Sequence, residues 1–144
     1  MQESHQHAQY AALQFSWPVR VYYEDTDSAG VVYYANYLRY FERARTEWLR
    51  RLGFEQTALA AQHGVVFVVR SISVEYLSPA RFNDALDITV ELDRVGASQI
   101  TMFQRVVRGG GVLVTAQVRV ACVSLAAMKP VRMPRVLLSK LREK

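Results

Sequence analysis

The sequence predicts an α+β fold in which one long helix lies against a curled antiparallel β-sheet. Three observations predict it. The stretch from Asn36 to Leu52 carries the helical period along its whole length. After Gly64 the chain reads as successive segments with the apolar and polar alternation of strands. The links between those segments are short, which favours antiparallel neighbours over parallel crossovers.

Residues 1–16 read as a loose polar extension, residues 17–128 as the folded domain and residues 129–144 as a basic tail. Trp17 to Glu24 alternates, with Val19, Val21 and Tyr23 facing one way and Arg20, Tyr22 and Glu24 the other, as in a strand. The run Asp25-Thr26-Asp27-Ser28-Ala29-Gly30 closes it with turn and capping residues. In the helix, Tyr37, Phe41, Ala44, Trp48 and Leu52 recur at spacings of four and three and share one face. Glu42–Arg45, Glu47–Arg50 and Glu47–Arg51 are placed to support its wet side, and Gly53 to stop it. A second, short helix from about Glu55 to Gln62 ends before Gly64 by the same signal.

Val65 to Leu77 starts as a continuous apolar run, then alternates, and Pro79 closes it. Leu86, Ile88, Val90 and Leu92 alternate with Asp87, Thr89, Glu91 and Asp93. Gln99 to Arg108 is the next strand, Gly109-Gly110-Gly111 a hairpin turn, and Val112 to Ser124 the last strand. Lys129-Pro130 and Met133-Pro134 break regular structure, and Val136 to Leu141 fits a short terminal helix. One sheet with a single covering helix leaves edge strands open, so a dimer with continuous strand pairing is the economical assembly.

A chain of 144 residues, 51% apolar and 22% charged, makes one ordinary folded domain whose core needs neither a metal nor a disulfide. The single cysteine, Cys122, has no intrachain partner, which favours a reducing compartment and a cytoplasmic location. The first fifteen residues lack a basic region and an apolar region, so no signal peptide is expected. The net charge of +5 is concentrated at one end. Residues 129–144 hold six basic side chains and one acid, whereas the other 128 residues hold twelve of each sign. With no basic recognition surface and no nucleic-acid motif, nucleic-acid binding is not expected. Two readings of the tail stand: a solvated terminus, or an electrostatic dock for an acidic partner, a phosphate-rich ligand or an anionic membrane surface.

Few residues are placed for chemistry. His5 and His7 form an isolated pair in the extension, a poor metal site, and His63 suits the C-terminal end of a helix. Cys122 lies among Val118, Val120 and Ala121 and reads as a buried small apolar residue. No nucleophile elbow and no phosphate-binding glycine loop is present. The acidic segment Glu24-Asp25-Thr26-Asp27 stands out, with three carboxylates in four positions between a strand and a helix. Turn and cap formation would account for it. So would a carboxylate held near helix N–H groups that polarise a carbonyl, where it attacks or activates a water that attacks.

Residues 19–54, VRVYYEDTDSAGVVYYANYLRYFERARTEWLRRLGF, resemble the signature of the hotdog-fold 4-hydroxybenzoyl-CoA thioesterase superfamily. The resemblance is closest to its branch of Tol-Pal system-associated acyl-CoA thioesterases, and FVVRSISVEYLSPARFNDAL (67–86) and MKPVRMP (128–134) resemble that branch too. It implies a hotdog fold, hydrolysis of an acyl-coenzyme A to free acid and CoA, no metal or other cofactor, and a homodimer or homotetramer with active sites at subunit interfaces. By the same resemblance Asp27 is the catalytic carboxylate, as nucleophile or general base, and the backbone N–H of Tyr34 binds the thioester oxygen. Asn36 suits capping of the helix start and Tyr37 the pocket lining, both as substrate-binding positions. Phe67 and Val68, in the apolar start of their strand, line the acyl pocket. Arg70 and Arg94 are candidates for the CoA phosphates, with Arg81 and Arg105 as alternatives. Members of the branch often carry histidine where this chain has Tyr34, so a mechanism using that histidine as proton shuttle has no counterpart at this position. The tail's partner becomes an acyl carrier protein or the anionic surface of the inner membrane. The rival functions are an acyl-thioester hydratase, which usually needs a histidine that this segment lacks, and a non-catalytic acyl-thioester or acyl-carrier-protein binding module.

Overall fold

The computed structural model describes residues 14–143. It runs β1 (Gln14–Arg20), a 3-10 turn at Tyr23–Asp25, α1 (Asn36–Arg51), α2 (Gln56–His63), β2 (Val65–Tyr76), β3 (Ala85–Val95), β4 (Gln99–Arg108), β5 (Gly111–Ser124) and α3 (Arg135–Leu141). The strands form one antiparallel sheet in the order β1-β3-β4-β5-β2. Register shifts at Val69/Ser71 in β2, at Leu92/Arg94 in β3 and opposite Val106/Val107, where β5 carries the extra Leu113, add local twist and curl the sheet.

The helix fills the curl. Tyr37, Tyr40, Phe41, Ala44, Trp48 and Leu49 are its buried residues, and α1 packs on β1, β3 and β4. The facing residues are the alternate positions of β3 and β4, among them Leu86, Ile88, Val90, Ile100 and Met102. Period four-three on one side and period two on the other thus meet in one core. Gln104 is the polar exception, fully buried on β4. Its amide donates to the carbonyls of Phe41 at 3.1 Å and Thr89 at 3.2 Å, which ties helix to sheet. α2 stops at Gly64, whose φ of 66° is the left-handed cap that glycine adopts without strain. Cys122 is buried, and burial pushes its thiol pKa up, away from a reactive thiolate.

The structure departs from the expected path in four places. β1 begins at Gln14, so residues 14–16 belong to the sheet and not to the extension. Phe15 pairs with Val90 on β3, and the Arg51 guanidinium lies 5.2 Å over its ring. Residues 1–13, with His5 and His7, lie outside the described residues, as does Lys144. β1 also ends at Arg20, because the Tyr22 N–H donates to the Asp25 carboxylate at 2.9 Å and bends the chain. Pro18 sits within β1, as an edge strand permits.

β2 and β3 follow each other in sequence but do not pair, for β2 joins β5 and β3 joins β1. The connecting segment bends through Asn83, at φ 72°, and pairs with the acidic loop, with Val31 bridging Arg81 and Val32 N–H donating to Ala80 at 2.8 Å. The last correction concerns residues 129–143, which do not stand off as a tail. Met133, Leu137, Leu138 and Leu141 are buried, Val131 N–H donates to Cys122 and Met133 N–H to Ala97. Four apolar side chains outweigh the charges around them, which stay on the outer surface.

Candidate active site

Asp27 occupies a small hairpin that delivers the chain into α1. Thr26 bridges Val32, Asp27 N–H donates to Val31 at 2.9 Å, and Gly30 N–H returns to the Asp27 carbonyl at 3.0 Å. Gly30 has φ 80°, a conformation that side-chain-bearing residues rarely take, and this closes the turn. One carboxylate oxygen of Asp27 accepts the Ala29 N–H at 2.8 Å, an Asx-turn that fixes the side chain. The carboxylate is otherwise exposed.

Asp25 has a different role from Asp27. Its carboxylate accepts Tyr22 N–H, and its carbonyl accepts both Tyr33 N–H at 3.0 Å and the Asn36 side-chain amide at 2.8 Å. Asn36 is therefore the first residue of α1 and a clamp on the acidic turn, while the N-cap position is Ala35, without a side-chain cap. The turn and the helix start are held as one unit. At that start, Asn36 N–H donates to Tyr33 and Tyr37 N–H reaches Tyr34 at 3.3 Å. The N–H groups of Tyr34 and Ala35 find no acceptor among the described residues. They stand beside the positive end of a sixteen-residue helix.

A cleft of about 220 Å³ opens there, walled by Val32, Tyr34, Tyr37, Tyr76 and Pro79. Tyr34 lies edge-on to Tyr76, with ring centres 6.0 Å apart, and Tyr37 is 5.7 Å from Tyr76. The Tyr37 hydroxyl accepts the Ala80 N–H at 3.0 Å, and burial raises its pKa despite that hydrogen bond. Burial likewise raises Tyr76. The pKa of Tyr40 is raised by burial first and by the neighbouring Asp25 carboxylate second. These phenols stay protonated.

A second, larger hollow of about 380 Å³ runs between α1 and the edge strand β2. Phe67 and Val68 line it, with Leu38, Leu49, Ile72 and Met102. The hollow shares no lining residue with the Tyr34–Tyr76 cleft, but both lie between α1 and β2, with Leu38 and Ile72 lining the one and Tyr37 and Tyr76 the other. Arg45 also faces the hollow, and spacing on the helix did not single it out because it reads as a wet-side ion-pair residue. Tyr76 was equally hidden, as the last residue of an alternating strand.

Arg70 and Arg94 are exposed, each beside a register shift of its strand. Arg105 is paired with Glu91 at 3.2 Å, and Arg81 holds Asp84 through its backbone N–H at 2.8 Å. Among the described residues no group of three or more histidine, cysteine or acidic side chains could hold a metal ion.

The division between the two aspartates carries a prediction. Asp25→Ala removes the acceptor of Tyr22 N–H and is expected to cost about 1 kcal/mol of stability, as one net hydrogen bond does. Turnover should stay within about one order of magnitude, well short of the loss at Asp27. Denaturant unfolding beside a turnover assay checks both halves.

A family model for the thioesterase-like superfamily matches residues 21–141. The acyl-CoA thioesterase YbgC of Haemophilus influenzae is 48% identical over 121 residues, covering 84% of this chain and 89% of that one. The acyl-CoA thioester hydrolase YbgC of Escherichia coli O6:H1 is 45% identical over 130 residues, 90% of this chain and 96% of that one. Among solved structures, a probable thioesterase from Bartonella henselae superposes with a TM-score of 0.81 at 39% identity, over 84% of this chain and 99% of that one.

Proposed function

Given that the chain belongs to the thioesterase-like superfamily and is a thioester hydrolase, we propose that it cleaves an acyl-coenzyme A to free acid and CoA at the Asp27–Tyr34 corner. The observation that carries this reading is the pair of unengaged N–H groups, Tyr34 and Ala35, clamped through Asp25 and Asn36 to the turn that bears Asp27. A thioester carbonyl laid against those donors gains stabilisation as negative charge develops on its oxygen. The Asp27 side chain then attacks the carbonyl carbon, or takes a proton from a water that attacks. In the first route C–S cleavage leaves a mixed anhydride on Asp27 that water hydrolyses, and in the second water adds to the carbonyl directly. In both, water supplies the oxygen of the acid and the proton of the CoA thiol. The groove along β2, through Phe67 and Val68, receives the acyl chain. Asn36 acts here by positioning the turn, and Tyr37 by walling the cleft. The exposed guanidinium groups of Arg70 and Arg94 are free to meet CoA phosphates.

Release of free thiol from short, branched, aromatic and long acyl-CoAs tests this. Turnover of at least one class supports it. Tight binding of acyl-CoA with no thiol released would make the protein a binding module instead.

The edge strand β2 exposes Val68 and Val69 over the groove, and Leu38 of α1 is exposed on the same wall. We take a second copy of the chain, paired along β2, to close the groove, giving a homodimer able to associate further into a tetramer. A fully active monomer in sedimentation would contradict it.

The outer surface of residues 129–143 carries five basic side chains and one acid, Glu143, which lies 3.4 Å from Lys140. Met128 and Val136, 61% and 56% exposed, flank Lys129, Arg132 and Arg135. Apolar tips among cations suit an anionic membrane surface. No helix among the described residues is long and apolar enough to cross a membrane, so this would be peripheral contact. Binding to anionic vesicles is expected at low salt, to weaken as salt screens it, and to be lost in Arg132→Glu/Arg135→Glu. Co-sedimentation measures it. Salt-insensitive binding would reject the electrostatic dock, and capture by an acyl carrier protein alone would assign the surface to that partner.

A further inference from the structure

The groove between α1 and β2 is apolar along most of its wall, which Glu42, Arg45, Thr46 and Gln56 interrupt, Arg45 being its one cation among the described residues. Arg45 Nη1 donates to Gln104 Oε1 at 2.9 Å. Gln104 cannot turn away, since its amide nitrogen is already committed to Phe41 and Thr89 in a fully buried position. A guanidinium has five N–H donors, and this one meets a single neutral acceptor. Among the described residues no carboxylate lies within ion-pair distance of it. Burial lowers its pKa, and Glu42, exposed one turn earlier, offsets this only in part. Water screens Glu42 far more than it screens Arg45.

A half-buried cation on an apolar wall, held by a fixed neutral amide, is set to receive an anion. We infer that Arg45 is a specificity-determining residue that receives a carboxylate at the far end of the acyl chain. The preferred substrates are then CoA monothioesters of dicarboxylic acids. This rests on the groove being the acyl site of the proposed thioesterase. Arg45 lies nine residues beyond Asn36, so its Cα is about 14 Å along the axis from the helix start, at roughly 1.5 Å per residue. Side chains lean toward the helix N-terminus, which brings the guanidinium back toward the reacting corner. A chain of middle length spans what remains. Its carboxylate can meet the planar guanidinium through two parallel hydrogen bonds, whereas a methyl end leaves those donors without an acceptor. Sites built to hydrogen-bond a group discriminate strongly against the analogue that lacks it.

The experiment compares kcat/KM for adipyl-CoA and hexanoyl-CoA, equal in chain length, by thiol release. Wild type should favour adipyl-CoA by about tenfold or more, as one good charge-assisted pair supplies. Arg45→Met should bring the ratio close to one. Arg45→Lys, which keeps the charge but loses the fork, should give an intermediate ratio and serves if the methionine variant does not fold. Hydrolysis of both thioesters by wild type without that preference overturns the inference alone, as does a preference unchanged in the folded variants. No thiol release from either thioester by folded wild type overturns the proposed function, and the inference with it.

Discussion

Asp27→Asn is expected to lower turnover of an acyl-CoA by about 10²–10⁴-fold, the usual loss for a general base, and by more if the carboxylate is the nucleophile. The fold should survive. Asparagine keeps an Oδ1 that can accept the Ala29 N–H, and the Asp27 backbone bonds to Val31 and Gly30 do not involve the side chain. The side chain is exposed, so its replacement should change stability by no more than about 0.5 kcal/mol. Thiol-release kinetics with thermal unfolding of the same preparation separate the two effects. A folded variant that turns over within a few-fold of wild type would pass the role to Glu24 or Asp25.

Removal of residues 129–144 is expected to leave no stably folded chain. Met133, Leu137, Leu138 and Leu141 are all buried, and each such side chain contributes about 1.5–3 kcal/mol. Together they match the roughly 5–15 kcal/mol by which a whole domain is stable. Leu137→Ala alone, at a fully buried position, should cost about 2–5 kcal/mol. Chemical unfolding of both variants measures it, and a truncated chain that melts like the full one would make the segment an accessory.

That second expectation shows what local pattern conveys and what it does not. The charges of residues 129–144 are plain in the sequence, and so is a short helix near Leu141. Its burial is not, because a seven-residue helix is too short to hold itself and depends on packing. The period of α1, the bounds of β4 and the stop at Gly64 could be read directly, since each rests on neighbours in sequence. The start of β1 could not: Phe15 is held by Val90 and Arg51, far along the chain. Nor could the crossing of β2 to β5, which the loop through Ala80 and Asn83 directs.

At the site, resemblance singled out Asp27, and the structure adds the Asx-turn and hairpin that hold it. Why Asp25 differs became visible only with its three acceptor contacts, which use it up as scaffold. Asn36 was expected as a cap and proves to be a clamp. Arg45 was masked by helical spacing that reads equally well as a surface ion pair, and only the buried Gln104 distinguishes the two.

The claim on which the mechanism rests is that the thioester carbonyl lies against the N–H groups at the start of α1 beside Asp27. The infrared carbonyl stretch of an acyl-CoA bound to Asp27→Asn, isotope-edited at the carbonyl carbon, tests it most directly. Donation from Tyr34 and Ala35 weakens the C=O bond, so the band should move to lower frequency than in water. A bound thioester whose band is unmoved, or shifted upward as in an apolar pocket, would contradict the account.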